Sequence, residues 1–246
     1  MAKNLKAVVL AAGKGTRLKS EKIDAPKVMR EACGKPLLSY VLDALAFIDK
    51  KDIILVVGYK KECVTDYFTD YPYAVQTEQL GTGHAVMAAA DELKNHGGAL
   101  LVCYGDMPAI QRDVYEELLT THFNEGNDCT LLSGESSLKV AFGRITRNDK
   151  GEFLGVVEEK DCTPEQLKIK ELNTGVYVFD TQKLLSALKE IKNDNSQGEY
   201  YVTDVPAIML GHGAKIGILN RNLGDDIIGV NTEEQLKVVE EILAGR

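Results

Sequence analysis

Three polar stretches, each placed directly after an apolar run, carry residue types able to hold anions, heterocycles and cations. The first is Gly13-Lys14-Gly15-Thr16-Arg17, which follows Ala7-Val8-Val9-Leu10-Ala11. Its two glycines allow close backbone approach and positive φ, and Lys14, Arg17, Lys19, Lys22 and Lys27 set cations on or just after the turn. A buried strand feeding a glycine-rich cationic loop suits a phosphate group. The second runs from Gln76 through Gln79 to Gly81-Thr82-Gly83-His84. The amides of Gln76 and Gln79 each offer a donor and an acceptor, which fits the edge of a nucleobase. The third is Gly105-Asp106, where Asp106 supplies a hard oxygen ligand for a Mg2+ ion bridging phosphates. Each has a plainer reading: a tight turn with solvated lysines, surface amides, a simple turn. Ligands of open α/β sheets lie beyond the carboxyl ends of the strands, where all three stretches fall, so together they mark a candidate site.

Two commoner phosphate loops are excluded. Lys19-Ser20 follows Leu18 rather than glycine, so there is no Walker A loop, and Leu18 stands where a dinucleotide fingerprint needs its third glycine.

The elements that must position these residues are set by hydrophobic period. Buried strands are expected at 7–11, 53–57, 99–103 and 129–132, with a weaker one at 73–76. Helices are expected at 37–48, 60–68, 83–93 and 111–123. Alternating strands and helices predict βαβ units and a mainly parallel, Rossmann-like α/β sheet flanked by helices. Residues 143–147, 153–157 and 172–179 read as strands joined by polar turns, a smaller β lobe of reversed or mixed strands layered over the sheet. Helices at 182–191 and 203–211 and a strand at 215–219 come next. Thr232 and Gln235 form a capping box opening the last helix. With no Pro-, Gly- or Ser-rich linker, one domain of two lobes is expected over 1–246, with a first lobe at 1–133, a second at 134–231 and a C-terminal helix at 232–246.

At 246 residues and a net charge of −8, the chain is not expected to bind nucleic acid or an anionic membrane surface. Cationic loops in an acidic chain suit a small anionic ligand in a confined site. Five widely spaced cysteines without a CxxC suggest free thiols, and no apolar run reaches the length of a membrane span, so the cytoplasm is the expected compartment.

The motifs LAAGKGTR with Pro26-Lys27, QTEQLGTGHA, YGDMP, FGRI, VVEEKDCT, LNTGVY, GEYYVTD and GVN run in order from residue 5 to about residue 232. In them the chain resembles bacterial N-acetylglucosamine-1-phosphate uridylyltransferase, within the sugar nucleotidyltransferases. The resemblance implies that Leu10, Ala11, Ala12 and Gly13 line the nucleotide, with Arg17 and Lys27 on its phosphates and Gln76, Gly81 and Thr82 selecting uracil. It implies that Asp106 and Asn231 hold Mg2+, and that Tyr104 and Gly105 floor the site. Gly143, Glu158 and Asn173 are assigned to an amino sugar, with Tyr200 to Thr203 nearby. By residue type alone, Glu158 sits in a solvated charge cluster and Asn231 in an ordinary helix turn. His84 reads as a structural group at a helix start whose ring could approach the nucleotide.

The reaction implied is attack by the sugar phosphate, already ionised, on the α-phosphorus of UTP, with release of pyrophosphate and no need for a general base. Three departures stand out. The loop between Lys19 and Lys27 is slightly longer than usual, Met107 replaces a valine, and the hexapeptide repeats of an acetyltransferase β-helix do not occur. Acetyl transfer is therefore not expected. A monomer or weak oligomer is, since trimers in the family rely on that β-helix. Two alternatives remain open at this point: transfer to another sugar 1-phosphate, and a non-catalytic sugar-nucleotide sensor.

Overall fold

The opening apolar run forms β1 (Leu5–Leu10), with Ala7 to Leu10 buried on both faces. The computed structural model describes residues 4–15, 25–136 and 141–246. A short hairpin, β2 (Glu31–Ala32) and β3 (Lys35–Pro36), leads to α1 (Leu37–Ala44). Next come β4 (Ile53–Val57), α2 (Lys61–Thr65), β5 (Tyr73–Val75), α3 (Thr82–Ala88), α4 (Ala90–Leu93) and β6 (Ala99–Tyr104). Helix α5 (Arg112–Glu125) precedes β7 (Cys129–Gly134), then β8 (Gly143–Arg147), β9 (Phe153–Val157) and β10 (Leu172–Asp180). The order closes with α6 (Thr181–Ala187), α7 (Val205–Gly211), β11 (Ile216–Asn220) and α8 (Glu233–Ala244).

The main sheet runs β11-β7-β10-β6-β1-β4-β5. β1 pairs in parallel with β4 and β6, β4 with β5, and β7 with β11. β10 is antiparallel to both of its neighbours, β6 and β7. Here the structure corrects the expectation from sequence. The stretch at 172–179 does not belong to a layer over the sheet but lies inside it. The reason is burial: every residue from Leu172 to Phe179 is buried, so the strand needs neighbours on both edges and helices on both faces. Only β8 and β9 extend beyond the main order, through pairing of Arg144 with Leu172 and Gly143 with Asn173.

Alternation along β1 divides the core. Ala7 and Val9 pack on one side with Leu38 and Val41 of α1 and Leu118 of α5. Val8 and Leu10 pack on the other with Val86 of α3, Leu184 of α6 and Val205 of α7. A third cluster of Ala32, Leu37, Ile228, Val230, Leu236 and Val239 seats α8. That helix has the expected capping box between Thr232 and Gln235. The helix expected at 83–93 is interrupted at Ala89 (φ −91°, ψ 3°), and the one expected at 182–191 stops at Ala187. The five cysteines are free thiols, with Cys103 and Cys129 buried.

Candidate active site

Register brings the carboxyl ends of β1 and β6 together. Leu10 lies opposite Tyr104, and Gly105 N donates to Leu10 O at 3.0 Å. Asp106 therefore emerges beside Ala11 to Gly13. Its carbonyl oxygen accepts from Val230 N at 2.9 Å, which draws the segment before α8 to the same edge. Lys27, at the start of a 3-10 turn over Lys27–Met29, forms an ion pair with Asp106 and donates to Asn231 Oδ1 at 3.0 Å. Asn231 is held firmly in turn: its Nδ2 donates to Gly229 O at 3.1 Å and its backbone N–H to Gln235 Oε1 at 2.8 Å. With Nδ2 engaged, the carboxamide oxygen faces the cation.

These residues fit a divalent cation bound together with phosphates. Two hard oxygens, from Asp106 and Asn231, already converge on one positive group. Among the described residues no cluster of three His, Cys, Asp or Glu side chains could hold a metal. A divalent ion here would complete its shell with ligand oxygens and water, the usual arrangement for Mg2+.

A cavity of about 230 Å³ is lined by Leu10, Ala12, Gly13, Gln76, Gln79, Gly81 and Thr82, together with Lys27, Tyr104 and Asp106. The side chain of Ala11 packs into the core instead. Gln76 is only 4% exposed, and its Nε2 donates to Gly81 O at 3.0 Å. Gly81 has φ +109°, and a Cβ there would stand 2.5 Å from Tyr200 O, so only glycine fits. Thr16 and Arg17 lie outside the described residues, as do Lys19 and Lys22.

A second cavity, of about 280 Å³, is lined by Gly143, Glu158, Asn173 and Thr203, together with Lys27, Thr82, Tyr104, Asp106 and Asn231. Asn173 Nδ2 donates to Tyr177 Oη at 2.7 Å, while its Oδ1 is buried without a partner. Thr203 Oγ1 donates to Glu158 Oε1 at 2.9 Å. Burial raises the Glu158 carboxyl above its ordinary value, and the Thr203 bond works against that shift. Burial, then Asp194 and Asp161, pushes Asp204 up to about 6. Tyr104 is half-buried between the cavities, hydrogen-bonded with Thr82, and desolvation raises its phenol. Gly105 lies beneath the cavities, where a Cβ would stand 3.0 Å from Leu38 Cδ1.

Several residues of the cavities escaped the sequence reading. Gly175, with φ +81°, leaves room for Tyr104, since a Cβ would stand 2.2 Å from its Cε2. Gln197, Glu199 and Gln235 also line the second cavity, beside Tyr201 of the segment already set near it. Gly175 sits within LNTGVY, and Glu199 and Tyr201 sit within GEYYVTD, so the motifs themselves carried the signal.

The cavities share Lys27, Thr82, Tyr104, Asp106 and Glu199. Their walls are strapped together as well: Gly83 N donates to Tyr200 O at 2.7 Å, Tyr200 N to Leu80 O at 2.8 Å, and Val202 N to Thr82 Oγ1 at 3.1 Å. Two ligands side by side would therefore meet at Lys27 and Asp106.

A helix-flanked, mainly parallel sheet with ligand cavities at its carboxyl edge places the molecule in the Rossmann-like α/β class. Within that class the chain belongs to the Nucleotidyl transferase family, whose sequence profile matches residues 6–223. It is 44% identical over 243 residues to the bifunctional protein GlmU of Caldanaerobacter subterraneus subsp. tengcongensis, a match covering 98% of this chain and 52% of that protein. The bifunctional protein GlmU of Lactobacillus delbrueckii subsp. bulgaricus is 43% identical over 240 residues, covering 97% and 51%. The chain thus spans about half the length of these relatives. A crystal structure of a candidate glucose-1-phosphate thymidylyltransferase from Bacillus anthracis, in complex with sucrose, superposes with a TM-score of 0.73. That likeness covers 97% of this chain and 94% of the other at 19% identity, and it shows the shared fold. The family resemblance drawn from the motifs is borne out. Nucleotidyltransferases of this family generally use a divalent metal. No helix among the described residues is long and apolar enough to cross a membrane.

Proposed function

We propose that the chain transfers a uridylyl group from UTP to N-acetylglucosamine 1-phosphate, giving UDP-N-acetylglucosamine and pyrophosphate. The observation that carries this reading is the pair of cavities sharing one wall at Lys27 and Asp106. One cavity has the glycine-rich, amide-bearing wall suited to a nucleotide. The other has buried acceptors and donors suited to sugar hydroxyls and an acetamide. The similarity to the GlmU proteins supports the particular substrates.

Leu10 to Gly13, Gln76, Gly81 and Thr82 hold the nucleotide, with Arg17 and Lys27 on its phosphates. Gly143, Glu158, Asn173 and Thr203 hold the sugar beside it. An oxygen of the sugar phosphate attacks the α-phosphorus in line, the new P–O bond forms, and the bond to pyrophosphate breaks with its electron pair leaving on that group. Lys27, at the boundary, steadies charge moving from one ligand to the other. Asp106 and Asn231 are the residues that would hold Mg2+, which when bound offsets repulsion between the two polyanions. Nothing in this scheme needs a side-chain nucleophile. Pyrophosphate release, measured with UTP against a panel of sugar 1-phosphates in Mg2+, tests it. Release should be fastest with N-acetylglucosamine 1-phosphate, and no release with any sugar would overturn the enzyme reading.

A further inference from the structure

The Gln76 amide is oriented by two groups, the Gly81 carbonyl on the wall of the nucleotide-facing cavity and the His84 ring outside it. Its Nε2 donates to Gly81 O at 3.0 Å, and the same oxygen accepts from Ala85 N at 3.1 Å. A carbonyl oxygen can be met only by donors, so Gly81 decides which end of the Gln76 amide turns inward. Nε2 also lies 3.1 Å from His84 Nδ1. Since Nε2 is a donor, Nδ1 must accept, and the neutral ring carries its proton on Nε2. Both N–H groups of Gln76 are then engaged, and both lone pairs of Gly81 O are filled. Among the described residues, Gln76 Oε1 accepts no hydrogen bond and Gly81 N donates none. The cavity edge therefore offers one acceptor and one donor.

His84 does not line this cavity. It lines an outer groove with Met87 and Leu188, its ring 6.4 Å from that of Tyr200. We propose that His84 is a positioning residue that holds Gln76 with its carboxamide oxygen toward the nucleobase, so that the site selects a base bearing an N–H on its pairing edge. The proposal rests on the uridine-nucleotide reading above. Uracil presents N3–H to Oε1 and a carbonyl oxygen to the Gly81 amide. With ribose and phosphates fixed, cytosine would turn its N3 lone pair onto Oε1, acceptor against acceptor. Without His84 one restraint on the amide is gone, and rotation that offers Nε2 to the base costs less.

The experiment compares His84→Phe, which keeps a ring beside Tyr200 without the acceptor, with His84→Asn, whose Oδ1 replaces Nδ1. Steady-state kinetics and calorimetric binding with UTP and CTP are read for both variants and wild type. For His84→Phe, KM for UTP should rise roughly fivefold to tenfold and the preference for UTP over CTP should fall by a similar factor, the scale of one neutral hydrogen bond. Its kcat and KM for the sugar phosphate should stay within about twofold, and His84→Asn should recover most of the preference. Equal losses in both variants, with a common fall in melting temperature, would make His84 merely structural and overturn the proposal. So would an unchanged UTP preference in His84→Phe. A wild type that binds CTP as well as UTP would instead overturn the uridine reading, and the proposal with it.

Discussion

The two walls that meet at Lys27 are built from opposite ends of strands. The wall proposed to face the nucleotide uses residues just past the carboxyl ends of β1, β5 and β6: Ala12 and Gly13, Gln76, and Asp106. The wall proposed to face the sugar uses the beginning of β10, which reaches the same edge because that strand runs backwards between β6 and β7. Their materials differ too. The first wall is largely backbone, with Gly81 forced by Tyr200 and the Gln76 amide tied to the main chain. The second is side chains, among them buried Asn173 with an unpaired oxygen and half-buried Glu158 with a carboxyl raised by desolvation. Glycine loops suit a phosphate chain, whereas discrimination among sugars needs side chains with hydrogen bonds to spare. Substitutions should therefore act on one ligand at a time, except at the junction.

The junction gives the largest effect. Asp106→Ala removes the ion-pair partner of Lys27 and one oxygen donor for a cation. Turnover should fall by about 10³-fold or more, while circular dichroism and melting temperature stay near wild type. Unchanged turnover would break the claim that both ligands meet at this carboxylate. Gly175→Ala tests the partition between the cavities. Its methyl would stand 2.2 Å from Tyr104 Cε2 at a φ of +81°. A loss of about 3 kcal/mol in urea unfolding is expected from overpacking and backbone strain combined. Asn173→Ala sharpens the comparison further. KM for the sugar phosphate should rise by about tenfold or more, with calorimetric binding of UTP alone unchanged. Equal weakening of both ligands would mean that the walls are not separate.

The same asymmetry explains what could be read from the sequence. β1, β4 and β6 were legible as continuous apolar runs, and each was followed by a glycine or acid that marked the sheet edge. Asp106 was visible for that reason, while Gln76 was visible by its amide after the weaker strand β5. The placement of β10 inside the sheet was not, because its polar flanking turns read as those of a separate layer, and only pairing with β6 and β7 shows where it lies. Asn231 could be picked out only within a motif, since what aims its oxygen is a bond to Gly229 and a capping-box partner four residues on. Gly175 gave no separate sign: its necessity comes from Tyr104, a residue seventy-one positions earlier and folded against it. His84 likewise acquires a partner through the turn that returns it to Gln76.

The smallest effect lies at Asp204, next in sequence to the cavity residue Thr203, and concerns stability alone. Asp204 precedes α7, and its side chain makes no capping bond there. Burial and the charges of Asp194 and Asp161 raise its carboxyl from 3.8 to about 6. The folded chain therefore holds this proton more tightly than the unfolded chain does. Below the unfolded value both states are protonated and nothing is lost. As pH rises through the interval from 3.8 to about 6, the unfolded state releases its proton first, and the native state loses stability. Asp204→Asn removes the charge and keeps the shape. Allowing for solvent screening at a partly exposed group, it should stabilise the protein by about 1 kcal/mol at pH 7.5 and by almost nothing at pH 3.5. Thermal melts across that range check the sign. A gain that did not depend on pH would show that the effect comes from packing rather than charge, and that acid–acid repulsion is not a cost at this position.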